Sequence, residues 1–223
     1  MMTVTEQSTN AILGQRLVRK EDPALLSGEA QFVHDIQLPG ALYMAIVRSP
    51  YAHARIRSID LSRALASPGV VAAFTGNDLQ GEWAQPMPCA WPVTKDMRNP
   101  AHYPLAVDQV CYVGDAVAVV LATSNALAQD AREAVEVDYE ELEAVVDLED
   151  AASDRVVIHP ELSTNISYVW ELSPDKEAVD RAFSSAAHVV SERYVQQRLI
   201  ASAMEPRGVL AVPHPFGGEY TLY

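Results

Sequence analysis

The 223-residue chain is 49% hydrophobic and 21% charged, the balance of an ordinary folded protein, which excludes wholesale disorder, collagen-like repeats and coiled coil. Sixteen Lys+Arg against thirty Asp+Glu leave a net charge of −14. No cluster of cations is present to meet a phosphate backbone, so nucleic acid and an anionic membrane are excluded as partners. The two cysteines, Cys89 and Cys111, fit a reducing compartment. With no basic-then-apolar leader and no apolar run of about 20 residues, the expected location is the cytoplasm.

Residues 1–11 read as a flexible leader. Pro23 to Gly28 predicts one helical turn, with proline at its start and glycine at its stop. Residues 42–47 form an apolar run of strand length, expected to be buried on both faces. Residues 52–59 alternate: Ala52, Ala54 and Ile56 point one way, and His53, Arg55 and Arg57 the other. This predicts a half-buried strand with one basic face. A short helix over 61–66, a turn at Pro68-Gly69 and a buried strand over 70–74 follow. Residues 78–104 break the rhythm with five of the fourteen prolines, Cys89, Trp83 and Trp91. Loops this long in compact domains carry function, and the tryptophans predict an ordered, packed one.

The most apolar stretch, 110–122, predicts a central strand with a turn at Gly114-Asp115 and with Val119 buried. Ser124 is placed to cap a helix whose inner face carries Leu127, Ala131, Ala134 and Val135. A strand over 137–146 completes a strand–helix–strand of the size of one crossover unit. Between residues 130 and 150 lie ten carboxylates and one base, Arg132. Such a run reads as a solvated face or as a surface for a basic partner. A boundary is expected near 150–160. Beyond it come a strand over 166–172, a helix capped by Ser173 with the apolar stripe Ala178, Val179, Ala182, Phe183 and Ala186, and a strand over 188–199. Strands over 208–213 and 219–223 are joined at Gly217-Gly218.

The chain contains no phosphate-cradling glycine motif, no G-x-S-x-G and no H-E-x-x-H. Its six histidines are scattered, and two cysteines cannot supply the four thiolates of an iron–sulfur cluster. Cys111, beside the core strand, reads as a small buried apolar residue. No residue is nominated as catalytic, cofactor-binding or metal-binding.

Several segments in order resemble one family. They are Leu13-Gly14-Gln15-Arg16-Leu17-Val18-Arg19-Lys20-Glu21-Asp22-Pro23, Phe32-Val33-His34-Asp35, Arg48-Ser49-Pro50-Tyr51-Ala52-His53-Ala54-Arg55-Ile56, Val113-Gly114-Asp115-Ala116-Val117-Ala118-Val119-Val120, Val135-Glu136-Val137-Asp138-Tyr139-Glu140-Glu141-Leu142 and Met204-Glu205-Pro206-Arg207-Gly208. Together they are similar to the large subunit of molybdenum hydroxylases, the xanthine dehydrogenase, aldehyde oxidase and aerobic carbon monoxide dehydrogenase group. The resemblance implies an α+β fold: an α/β-hammerhead domain over 12–150, followed by a truncated mixed α/β region over 155–223 that begins the first molybdopterin-binding domain. It also implies an intact protein using a molybdopterin-dinucleotide molybdenum cofactor, with iron–sulfur and FAD groups on a small and a medium partner subunit.

The positions that carry the family's chemistry lie beyond this stretch. The 223 residues are therefore expected to bind no cofactor and to be inactive alone. They would act as scaffold and subunit interface, and self-associate through an edge strand at 219–223. His53, Arg55, Arg57, Trp83 and Trp91 are the candidate partner contacts. The other reading is a stand-alone hammerhead module that binds a protein partner without catalysis.

Overall fold

The computed structural model describes residues 14, 17–82, 85–88, 91–172, 175–203 and 206–223. These fall into two units. One is Gly40–Val195; the other joins the described residues up to Pro39 to Gln196–Tyr223.

The larger unit is built on two three-stranded antiparallel sheets. The strands are β1 (Tyr43–Arg48), β2 (Ala54–Asp60), β3 (Val70–Thr75), β4 (Gln109–Val110), β5 (Ala116–Ala122) and β6 (Glu136–Glu141). One sheet has the order β1-β5-β3 and the other β4-β2-β6. As expected, the valine-rich β5 is central, and the chain turns at Gly114, whose φ of 92° suits glycine. At that turn the chain leaves one sheet for the other, because β4 pairs with β2 while β5 lies between β1 and β3.

Period two along β5 then sorts its side chains. Val117 faces the second sheet and packs with Ala54 and Val110. Val120 faces the helices and packs with Ala64 and Ala131. Here α2 (Ser62–Leu65) and α4 (Asn125–Glu133) cover the first sheet. The Ser124 hydroxyl accepts the Leu127 N–H at 3.3 Å and so caps α4 as expected. The buried residues of α4 are Ala128 and Ala131.

Several expectations change. Residues 42–47 and 70–74 do form strands, but at the two edges of their sheet rather than inside it, leaving Met44 58% and Val71 57% exposed. Val119 is only half-buried, since it shares the face of Val117 but lies beyond that core cluster. The strand–helix–strand is not a crossover unit, because β5 and β6 belong to different sheets. β6 ends at Glu141, short of the expected 146.

Residues 166–172 form no strand. The loop after α3 (Gly76–Leu79) takes up their hydrogen bonds instead: the Arg98 N–H donates to the Ser167 carbonyl, and the Ser167 hydroxyl donates to the Arg98 carbonyl, each at 2.8 Å. The segment before it, which follows α5 (Leu148–Ala152), is held by side chains. Asn165 donates to the carbonyls of Ala151 and Val156, while Asp154 accepts from Thr164 and the Asn165 N–H.

The helix α6 (Lys176–Ser185) is capped by Asp175, whose carboxylate accepts the Ala178 N–H at 2.8 Å; Ser173 lies outside the described residues. Residues 188–199 form no strand and are exposed throughout. In the smaller unit, α1 (Asp22–Ser27) stops at Gly28, with φ 75°, as expected. The hairpin of β7 (Ala211–Pro213) and β8 (Tyr220–Leu222) turns through Gly217-Gly218.

Candidate functional site

Two features of the larger unit gather polar chemistry: a charged face on the second sheet and a cavity beside the β4–β5 turn.

The charged face arises where the basic alternation of β2 meets the acidic run. β2 pairs antiparallel with β6, setting Arg55 opposite Glu140. The Arg55 and Arg57 guanidiniums each approach Glu140 Oε2 at 3.4 Å. A register shift between Ile56 and Ser58 follows, and Arg63 of α2 pairs with Glu136. Further along the acidic run, Arg155 pairs with Glu143 and Arg193 with Glu149. The acids between 130 and 150 are thus laced by arginines distant in sequence. Each such exposed pair is worth only about 0–1 kcal/mol.

His53 does not join this face. It is 7% exposed, and its Nδ1 lies 2.7 Å from the Glu143 carbonyl, where a protonated Nδ1 donates. Residue 53 precedes the strand, so strand alternation does not govern it. Trp91 is 88% exposed, which overturns the expected packed tryptophan. Trp83, Cys89, Met204 and Glu205 lie outside the described residues.

The cavity has a volume of about 600 Å³ and is lined by Gln80 and Pro88, by residues 100–103 and 105–109, by Cys111, Tyr112 and Asp115 of the turn, and by His159 and Glu161. Local sequence builds it. The Thr75 hydroxyl accepts the Asp78 N–H and the Asp78 carboxylate accepts the Thr75 N–H, which closes α3 and launches the loop. Gly76 lets that helix sit against the far side of the loop; a Cβ there would lie 2.6 Å from the Ala106 carbonyl oxygen. The Met87 N–H returns to the His102 carbonyl at 2.7 Å.

Buried Asp115 accepts the Cys111 N–H at 3.2 Å, and its own carbonyl accepts the Ser49 N–H at 2.8 Å. The His102 and Tyr112 rings lie with centroids 5.9 Å apart. Burial, then the charge of Asp115, push the Cys111 thiol up to about 11. Burial and the same carboxylate also raise Tyr112. A thiol so shifted is protonated at neutral pH and is not a nucleophile; Cys111 itself is half-buried on the cavity wall rather than the buried apolar residue expected. Sequence reasoning missed this cavity. Its walls come from four separate stretches, and only Gly114-Asp115 stood out as a turn.

Comparison with known proteins places the chain. Residues 27–143 match the family described as aldehyde oxidase and xanthine dehydrogenase, a/b hammerhead domain, and residues 158–223 match the molybdopterin cofactor-binding domain. The chain belongs to the aldehyde oxidase and xanthine dehydrogenase family. It is 38% identical over 212 residues to the 6-hydroxypseudooxynicotine dehydrogenase complex subunit gamma of Paenarthrobacter nicotinovorans, covering 94% of this chain and 26% of that one. It is 34% identical to the carbon monoxide dehydrogenase large chain of Hydrogenophaga pseudoflava, covering 93% and 26%.

Among solved structures, quinoline 2-oxidoreductase from Pseudomonas putida 86 superposes with a TM-score of 0.80 at 34% identity, over 94% of this chain and 26% of that one. The chain thus spans about a quarter of the length of these relatives. The family resemblance and the mixed α and β fold expected from sequence are both met.

The family implies a molybdopterin. The matching residues here do not by themselves form a place for it: no described residue from 175 to 223 is buried. A large cofactor needs concave, convergent walls. Among the described residues, no group of three or more His, Cys, Asp and Glu is arranged to hold a metal ion. No helix among the described residues is long and apolar enough to cross a membrane.

Proposed function

We propose that this chain works as part of a cytoplasmic molybdenum-dependent oxidoreductase. Its substrate class is an aldehyde, an N-heterocycle or carbon monoxide, with water as the oxygen source and electrons leaving to iron–sulfur and FAD groups on companion subunits. Residues 12–150 act as the hammerhead domain and residues 155–223 as the opening of the first cofactor-binding domain. The observation that carries the reading is the ordered pair of family matches, 27–143 and then 158–223, within one chain.

In this reading the 223 residues contribute scaffold and subunit contact rather than catalytic groups. Exposed Trp91, with Trp83, is the contact, while His53 is a structural residue. Arg55 and Arg57 lie at its margin, already paired with Glu140.

The protein purified from its native source tests this directly, by metal analysis and by dye reduction with an aldehyde, an N-heterocycle and carbon monoxide. Stoichiometric molybdenum and turnover of one class are expected. A metal-free protein inert toward all three would overturn the reading in favour of a non-catalytic module. Trp91→Ala is expected to weaken co-purification of companion subunits without lowering the melting temperature. A change in melting temperature alone would return Trp91 to a packing role.

A further inference from the structure

The cavity beside the β4–β5 turn has no part in the reading above, and its chemistry is one-sided. Its lining holds three carboxylates, Asp108, Asp115 and Glu161, and no lysine or arginine among the described residues. Asp115 is 5% exposed, so its charge acts where solvent screens poorly. Asp115 accepts the Cys111 N–H at 3.2 Å, and Glu161 lines the same cavity. His159 lies against Glu161 at 3.5 Å. Opposite in character, the tilted His102 and Tyr112 rings give the cavity an aromatic side. The volume, about 600 Å³, is that of a small-molecule site, roughly 300–1,000 Å³.

An anion entering here meets no lysine or arginine in the lining. A bare divalent metal meets no group of three or more His, Cys, Asp and Glu among the described residues. A flat organic cation satisfies both sides at once: its charge is drawn into a cleft lined by one sign, and its π-face or its charge rests on the rings. We propose that this cavity binds a compact organic cation, an arylalkylamine or a guanidine carrying an aromatic ring. Its ring would lie toward His102 and Tyr112, and its cationic group would be held by Asp115 and Glu161. The proposal is independent of the molybdenum reading.

The test uses the ¹⁵N-labelled 223-residue chain and three probes of one shape: benzylamine, benzyl alcohol and benzoate. Binding is read from the amide shifts of Cys111, Tyr112, Gly114 and Asp115. Benzylamine is expected to saturate with a Kd of about 1 mM, benzyl alcohol to bind at least about fivefold more weakly, and benzoate not to bind. Glu161→Gln, on a half-exposed side chain whose loss leaves the core intact, is expected to weaken benzylamine about threefold to tenfold and leave benzyl alcohol unchanged. Equal affinity for the amine and the alcohol would overturn the proposal. So would binding of benzoate, failure of benzylamine to saturate, or a Glu161→Gln chain that binds benzylamine as before.

Discussion

Val120→Ala is the sharpest probe of the layered core. Val120 is fully buried on the helix-facing side of β5, opposite Ala45 and Ala73 in the neighbouring strands. It packs with Ala64 and Ala131, with Val70 and Val135 at the margin. The substitution removes two methyl groups, about 1.6 kcal/mol of transfer free energy at roughly 0.8 kcal/mol per buried carbon group. The alanines around it have no side chain beyond Cβ with which to fill the hole, so a cavity cost adds and the total is about 2–3 kcal/mol. For a unit of this size that lowers the melting temperature by about 4–12 °C. Val119→Ala, on the half-buried face one residue earlier, is the matched control, expected to cost about 1 kcal/mol or less. Thermal melts of the two variants followed by circular dichroism decide the matter. A Val119 variant that melts below the Val120 variant would show that the two faces of β5 are reversed.

Gly76→Ala places a Cβ 2.6 Å from the Ala106 backbone oxygen and should cost about 1–3 kcal/mol in a urea melt; a neutral result would mean that α3 does not rest on the loop. Cys111, in a Cys89→Ser background, should react with iodoacetamide about tenfold to a hundredfold more slowly at neutral pH than an unhindered cysteine. Its pKa is raised in the folded chain, so its contribution to stability is present below the ordinary 9.0 and lost as pH climbs toward about 11; fast labelling at pH 7 would refute its buried, acid-flanked setting. Amides of α6 should exchange with solvent far faster than those of β5, and equal protection in hydrogen-exchange mass spectrometry would show that α6 is covered.

How far the sequence could be read follows from the range of the interactions involved. The central strand, the Ser124 cap, the Gly28 stop and the Gly217-Gly218 hairpin were all legible, because each rests on residues within a few positions of one another. The edge position of residues 42–47 and 70–74 was not. An apolar run reports that a strand has two apolar faces, not whether a neighbour covers its edge. The 166–172 strand failed for a related reason: its β-branched residues suit a sheet, but their backbone partners were taken by Arg98, some 70 positions earlier. The basic face and the acidic run were each visible, yet their pairing at Arg55, Arg57 and Glu140 depended on the β2–β6 register. The cavity was the least legible feature, since the 100–109 stretch that forms most of its wall is closed by Gln80, Pro88, His159 and Glu161 from distant parts of the chain.

The same distribution of contacts says where the stability of the chain resides. Every buried hydrophobic residue among those described lies between Ala45 and Ala131, so the two sheets and the helices on them hold the core. Beyond Asp154 the segment is tied by hydrogen bonds of Asn165 and Asp154 rather than by packing. α6 then stands on a cap, an i,i+4 contact between Glu177 and Arg181 at 3.9 Å, and little else. A cap contributes about 1 kcal/mol and an exposed i,i+4 pair about 0.3–0.5 kcal/mol. A ten-residue helix is marginal in water on that footing. Its apolar stripe gains nothing from burial within the described residues, with Val179 39% and Phe183 60% exposed. Within the chain, then, the hammerhead part is organised by burial and the part after it by local capping. Substitutions in the first part should therefore register as stability, whereas those on the exposed α6 stripe should move the melting temperature little.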